Sequence, residues 1–148
     1  AVGVEYWATR GGGAFRSDKE GIVRLPQVAD AELGQALFAT GFGYRKERRA
    51  QQIRVMDQVL PRIRDIRRKG SAALDVCMVA AGTVNGYFER GTHAWDMAAG
   101  LLVATECGCL ATGLNGKPWG EPMVVCAPPK LHAEISALLE SLNADQGD

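Results

Sequence analysis

Several features are scarce or missing in this 148-residue chain. No apolar run approaches the roughly 18 residues that a membrane-spanning helix needs. The opening Ala1-Val2-Gly3-Val4-Glu5-Tyr6 lacks the basic, apolar and small-residue blocks of a secretory signal. The expectation is therefore a cytoplasmic protein with no membrane partner. Net charge is absent as well: 17 Lys and Arg balance 17 Asp and Glu, which removes any whole-chain argument for nucleic acid or an anionic surface. The four cysteines, Cys77, Cys107, Cys109 and Cys126, fit neither a paired Cys-x-x-Cys metal knuckle nor a dense disulfide framework. Each lies in an apolar stretch, so small buried hydrophobes in a reducing compartment are expected. His93 has no second histidine at ligand spacing and reads as a loop residue. No methionine opens the chain, which runs at once into strand-like Val2 to Thr9.

What is present is a core. Apolar residues make up 47% of the chain, enough for one globular domain. Val2 to Thr9, Ala14 to Ser17 and Ile22 to Leu25 read as a strand meander around the Gly11-Gly12-Gly13 turn. Three glycines can also cradle phosphate, but no Gly-Lys-Ser/Thr ending or helix follows, which favours a plain hairpin turn. Leu37 to Thr40 is a further strand candidate. Lys46 to Leu60 carries Ile53, Met56, Val59 and Leu60 at helical spacing and stops at Pro61. Ile63 to Arg68 alternates as a half-exposed strand does.

Ser71 to Ala81 is apolar apart from Asp75, is opened by a capping serine and closed by Gly82, and predicts a buried helix. Val84 to Phe88 reads as a strand, with Glu89 at its end. Trp95 to Glu106 reads as a second apolar helix, whose Ala98-Ala99-Gly100 side is narrow enough to press on a sheet. Cys109 to Thr112 and Met123 to Ala127 are strands around an Asn115-Gly116-Lys117-Pro118 turn, and Leu131 to Leu142 is a last amphipathic helix. Strands alternating with helices predict an α/β layered fold.

Charge is unevenly placed. Ten cations between Arg45 and Lys69 face only Glu47, Asp57 and Asp65, a net of +7 for that segment against −7 for the rest. Tyr44 is the one aromatic residue beside it, too few for base stacking, so a solvated helix face or a subunit contact is favoured over nucleic acid. Glu89 and Asp96, seven residues apart, project from one edge of the layer. An acid in a first helical turn is ordinarily a cap, yet Asp96 beside Trp95 is also a partly buried carboxylate that would need a metal or a base. Gly70-Ser71-Ala72 marks a strand-to-helix junction whose free N–H groups could meet a polar ligand.

Gly70-Ser71-Ala72-Ala73-Leu74-Asp75, Val79-Ala80-Ala81-Gly82, Gly86-Tyr87-Phe88-Glu89 and Trp95-Asp96-Met97-Ala98-Ala99-Gly100, with Glu106-Cys107-Gly108, stand in an order and spacing that resemble the C-terminal signature of the inositol monophosphatase family. Thr40-Gly41-Phe42-Gly43-Tyr44 and Arg64-Asp65-Ile66-Arg67-Arg68 look most like bacterial members. The resemblance implies part of the layered α/β/α/β/α sandwich of the inositol monophosphatase and fructose-1,6-bisphosphatase superfamily. It also implies a magnesium-dependent phosphomonoesterase, usually a homodimer, that cleaves inositol phosphates or similar small phosphate esters through a metal-activated water. By matching position Asp96 would ligate the metal and touch a substrate hydroxyl, Glu89 would bond a ring hydroxyl, and Gly70, Ser71 and Ala72 would line the substrate.

The family's Glu-Glu pair and Asp-Pro-x-Asp-Gly-Thr element, which carry its other metal ligands and the residues that handle the metal-bound water, occur nowhere in these 148 residues. The expectation is a single C-terminal segment of a phosphatase fold, inactive without an N-terminal metal-binding half. The alternatives are a superfamily relative acting on histidinol phosphate or a nucleotide 3′-phosphate, and a non-catalytic fragment that binds RNA or protein.

Overall fold

A computed structural model describes residues 3–120 and 122–146. Strands β1 (Glu5–Thr9), β2 (Gly13–Asp18) and β3 (Gly21–Arg24) form an antiparallel meander. Val2, at the head of the first expected strand, lies outside the described residues. The turn between β1 and β2 needs the glycines, since Gly11 and Gly13 sit at φ +71° and +87°. Its N–H groups are taken by the chain itself: Gly11 donates to Glu106 Oε1 at 2.7 Å and Gly13 to Oε2 at 2.9 Å. The hairpin reading holds, and the anion the turn receives is an internal carboxylate.

The second sheet is built from β4 (Leu37–Thr40), β5 (Asp65–Arg67), β6 (Gly86–Glu89), β7 (Leu110–Thr112) and β8 (Val124–Ala127) in the order β5-β4-β6-β8-β7. β4 runs parallel to both β5 and β6, whereas β8 is antiparallel to β6 and β7. Helices α1 (Lys46–Val59), α2 (Ala72–Ala80), α3 (Ala94–Glu106) and α4 (Pro129–Ser141) cover its faces. β6 starts two residues later than expected. Asn85 instead bonds Leu37 with both its backbone N–H and its side-chain oxygen, at 2.7 and 2.8 Å, and so ends the ladder there.

Successive residues of a strand point to opposite faces, and the core divides accordingly. Ala39, Tyr87, Val124 and Cys126 join α2 and α3 in one buried cluster, which also takes in Ala14 of β2. Phe38, Phe88, Val125 and Ala127 join Met56 and Val59 of α1 and Leu131, Ile135 and Leu139 of α4 in the other. The layers therefore run α1/α4, five-stranded sheet, α2/α3, three-stranded meander. Each fully buried Leu or Ile contributes roughly 1.5–3 kcal/mol to holding them together.

All four cysteines are buried and free, as their apolar settings suggest. Burial pushes the Cys77 and Cys107 thiols up to about 11, which leaves them unreactive. One packing expectation is corrected. The narrow side of α3 does not meet a sheet at all three positions: Gly100 is buried against Ala73 and Val76 of α2, while Ala98 and Ala99 are exposed. No described helix is long and apolar enough to cross a membrane.

Candidate active site

The three parallel strands β4, β5 and β6 all end on the same side of the sheet, and the starts of α2 and α3 are brought to that side with them. Open α/β sheets place ligands beyond the carboxyl ends of such strands, where the order of connections reverses. Here β4 leads out to β5 on one side, and the chain then crosses back over β4 to reach β6. A cleft of about 560 Å³ lies at this place.

Every residue singled out from the sequence lines it: Gly70, Ser71, Ala72, Glu89 and Asp96. Gly70, at φ +86°, turns the chain from β5 into α2. Ser71 then caps α2, its Oγ accepting from Leu74 N at 3.4 Å. Glu89 is the last residue of β6. Asp96 stands in the first turn of α3, where its Oδ2 accepts from His93 N at 3.0 Å. It is half-buried, so the capping role and the cleft-lining position belong to one side chain. His93 is the exposed N-cap residue, its ring stacked on Trp95 at 4.5 Å.

Other residues were not marked by the sequence. Asp75 is buried to 2% exposure on α2 and also faces the cleft; burial raises its carboxyl above the ordinary value. Its signal was present as the lone acid of an apolar helix. Burial likewise raises Glu89, with Asp75 and Asp96 adding like charge. Arg45, Arg48 and Arg68 line the same cleft, and the Arg68 charge partly offsets the raising of Asp75 and Glu89. Among the described residues no three His, Cys, Asp or Glu side chains are grouped to hold a metal ion.

The family model described as "Inositol monophosphatase family" matches residues 1–144. The chain belongs to the inositol monophosphatase family. It is similar to an inositol-1-monophosphatase of Mycobacterium leprae, 43% identical over 144 residues that make up 96% of this chain and 50% of that protein. It is also similar to a Pasteurella multocida protein named Nus factor SuhB, 37% identical over 95% of this chain and 52% of the other. Among solved structures, Mycobacterium tuberculosis SuhB superposes with a TM-score of 0.85 at 40% identity, covering 97% of this chain and 56% of that one. The chain thus spans about half the length of the curated relatives it matches, and the α/β layering read from its sequence is that of the family.

Proposed function

We propose that this chain is the C-terminal, substrate-positioning part of a magnesium-dependent phosphomonoesterase that acts on inositol monophosphate or a similar small polyol phosphate. The observation that carries the reading is the convergence of Glu89, Asp96 and the Gly70-Ser71-Ala72 junction on one cleft at the ends of three parallel strands. Glu89 accepts a hydrogen bond from a ring hydroxyl, Asp96 takes a second hydroxyl, and the small residues at the start of α2 leave room for the substrate to approach the backbone.

The M. leprae relative is named inositol-1-monophosphatase, and a magnesium ion bound in such a site would supply an activated water. Magnesium demands near-octahedral oxygen ligation. Asp96 is the one ligand assigned to it in this chain, so these residues alone do not fit the ion. The remaining ligands belong to an N-terminal half of the same enzyme, and this chain's own part is binding and orientation. The complete enzyme is a cytoplasmic homodimer in this reading, and the four free thiols of this chain suit a reducing compartment.

The test is hydrolysis by the complete polypeptide of inositol 1-phosphate, histidinol phosphate and a nucleoside 3′-phosphate in magnesium. A clear preference for the inositol ester is expected. Equal or better cleavage of either competitor moves the assignment to that superfamily relative.

A second reading is favoured by one observation. Arg45, at the N-cap of α1, and Lys46, Arg49 and Arg54 along it are exposed, as are Arg64 and Arg67 at edge strand β5, and one relative is named a Nus factor. That reading requires binding to RNA or a protein partner with a steep salt dependence. A flat salt response removes it.

A further inference from the structure

Glu89 is useful to a polyol only if its carboxylate stays in the cleft with an oxygen free. Its surroundings on β4 and β6 are arranged to hold it so. Tyr87 and Glu89 are two residues apart on β6 and project from the same face of the sheet. The Tyr87 ring is fully buried, and its hydroxyl donates to Glu89 Oε2 at 2.7 Å. The same hydroxyl also lies 3.8 Å from Met97 Sδ, a weak acceptor.

On the other side lies Gly41, just beyond β4. The parallel register sets Thr40 against Phe88, and Thr40 Oγ1 bonds Phe88 O at 2.7 Å, which brings Gly41 alongside Glu89. A Cβ at Gly41 would overlap the Glu89 carboxylate itself. The carboxylate therefore lies across a bare stretch of backbone, pinned through one oxygen by a rigid buried phenol.

We infer that Tyr87 is a positioning residue: it fixes Glu89 over Gly41 through Oε2, so that Oε1 is presented to a substrate hydroxyl, and it thereby sets the preference for polyol phosphates over simple phosphate esters. The inference rests on the phosphatase reading and deepens it. Tyr87 touches no substrate. Its effect passes through Glu89, and a hydrogen bond to a charged group is strong enough for its loss to be read in binding.

The experiment compares the complete wild-type polypeptide with Tyr87→Phe, Glu89→Gln and the double variant, each assayed with inositol 1-phosphate and with 4-nitrophenyl phosphate, which has no ring hydroxyls. Tyr87→Phe should lower the ratio of kcat/KM for the two esters by about tenfold, chiefly through a higher KM for the inositol ester. On the Glu89→Gln background the same change should remove little further preference, because the group it positions is already altered. A Tyr87→Phe protein that keeps its preference, loses both esters in equal proportion, or adds its full effect to Glu89→Gln overturns the inference.

Crystal structures of wild type and Tyr87→Phe provide a reading independent of turnover. Glu89 should lie over Gly41 in the first and leave that place in the second, and an unmoved Glu89 also overturns the inference. A wild-type protein that cleaves neither ester counts against the phosphatase reading instead, while the two structures still decide what Tyr87 does.

Discussion

The starts of α2 and α4 present the same backbone chemistry and are put to opposite uses. Both offer the unsatisfied N–H groups that every helix start carries. At α4 a carboxylate from elsewhere in the chain closes the site: Asp30 accepts from Lys130 N at 3.0 Å with Oδ2 and from Leu131 N at 2.9 Å with Oδ1. The glycine turn between β1 and β2 is closed in the same manner by Glu106. At α2 no distant side chain arrives among the bonds found. Ser71 caps its own helix, and Ala72 and Ala73 line the cleft beside Glu89 and Asp96. In the proposed function the difference separates stabilising anion sites from a candidate binding site: the fold fills the first kind with its own carboxylates, and the second lies beside the cleft-lining Glu89 and Asp96.

The largest effect that should sharpen this contrast is at Asp96. Asp96→Asn keeps an oxygen for the His93 N–H and so preserves the cap, but removes the charge from the cleft. In the complete polypeptide we expect kcat/KM to fall roughly a hundredfold or more with little change in melting temperature. A large loss of stability with activity retained would break the contrast. On the closed side, Asp30→Ala should do the reverse, costing roughly 1–2 kcal/mol by denaturant unfolding while leaving kcat/KM within about twofold.

Smaller still is a pH effect at His132 on α4, which is buried and lies 2.9 Å from Thr112 Oγ1 through Nε2. Burial lowers its pKa below the ordinary 6.5. The folded state therefore favours the neutral ring, and the unfolded chain takes up the proton first as pH falls. The stability His132 contributes is complete above about 6.5 and is lost as pH drops through the lowered value. His132→Asn should flatten the unfolding curve between pH 7 and 5; an unchanged slope contradicts the assignment. The smallest expected change is at Glu106, a half-buried acid held below the usual carboxylate range by the N–H groups of Gly11 and Gly13. Glu106→Gln should lower the melting temperature slightly at pH 7, and the difference should shrink as pH falls through the lowered value, where the wild-type carboxylate takes up its proton.

Much of this was legible in local pattern. The apolarity of α2, its serine cap and the glycine after it define that helix without any knowledge of its neighbours, and Glu89 and Asp96 stand at an element's end and an element's start, where ligands meet side chains. The rest depends on contacts between residues far apart in the chain. Gly41 and Glu89 meet only because β4 and β6 pair in one particular parallel register, and Tyr87 reads as an ordinary core aromatic until its hydroxyl is seen against Glu89. The Ala98-Ala99-Gly100 side of α3 shows the same limit: a run of small residues announces a close approach, but not that α2 makes it, nor that Gly100 alone is involved.

The central claim is that the open cleft at the start of α2, and neither of the two self-filled anion sites, receives the substrate. The most direct measurement is a crystal structure of the complete polypeptide soaked with inositol 1-phosphate. The account requires the ring in the cleft, with hydroxyls within hydrogen-bonding reach of Glu89 and Asp96 and with Asp30 and Glu106 still in place on their backbone N–H groups. An ester bound at the Gly11–Gly13 turn or at the start of α4, or a cleft left empty at saturating ester, would contradict it.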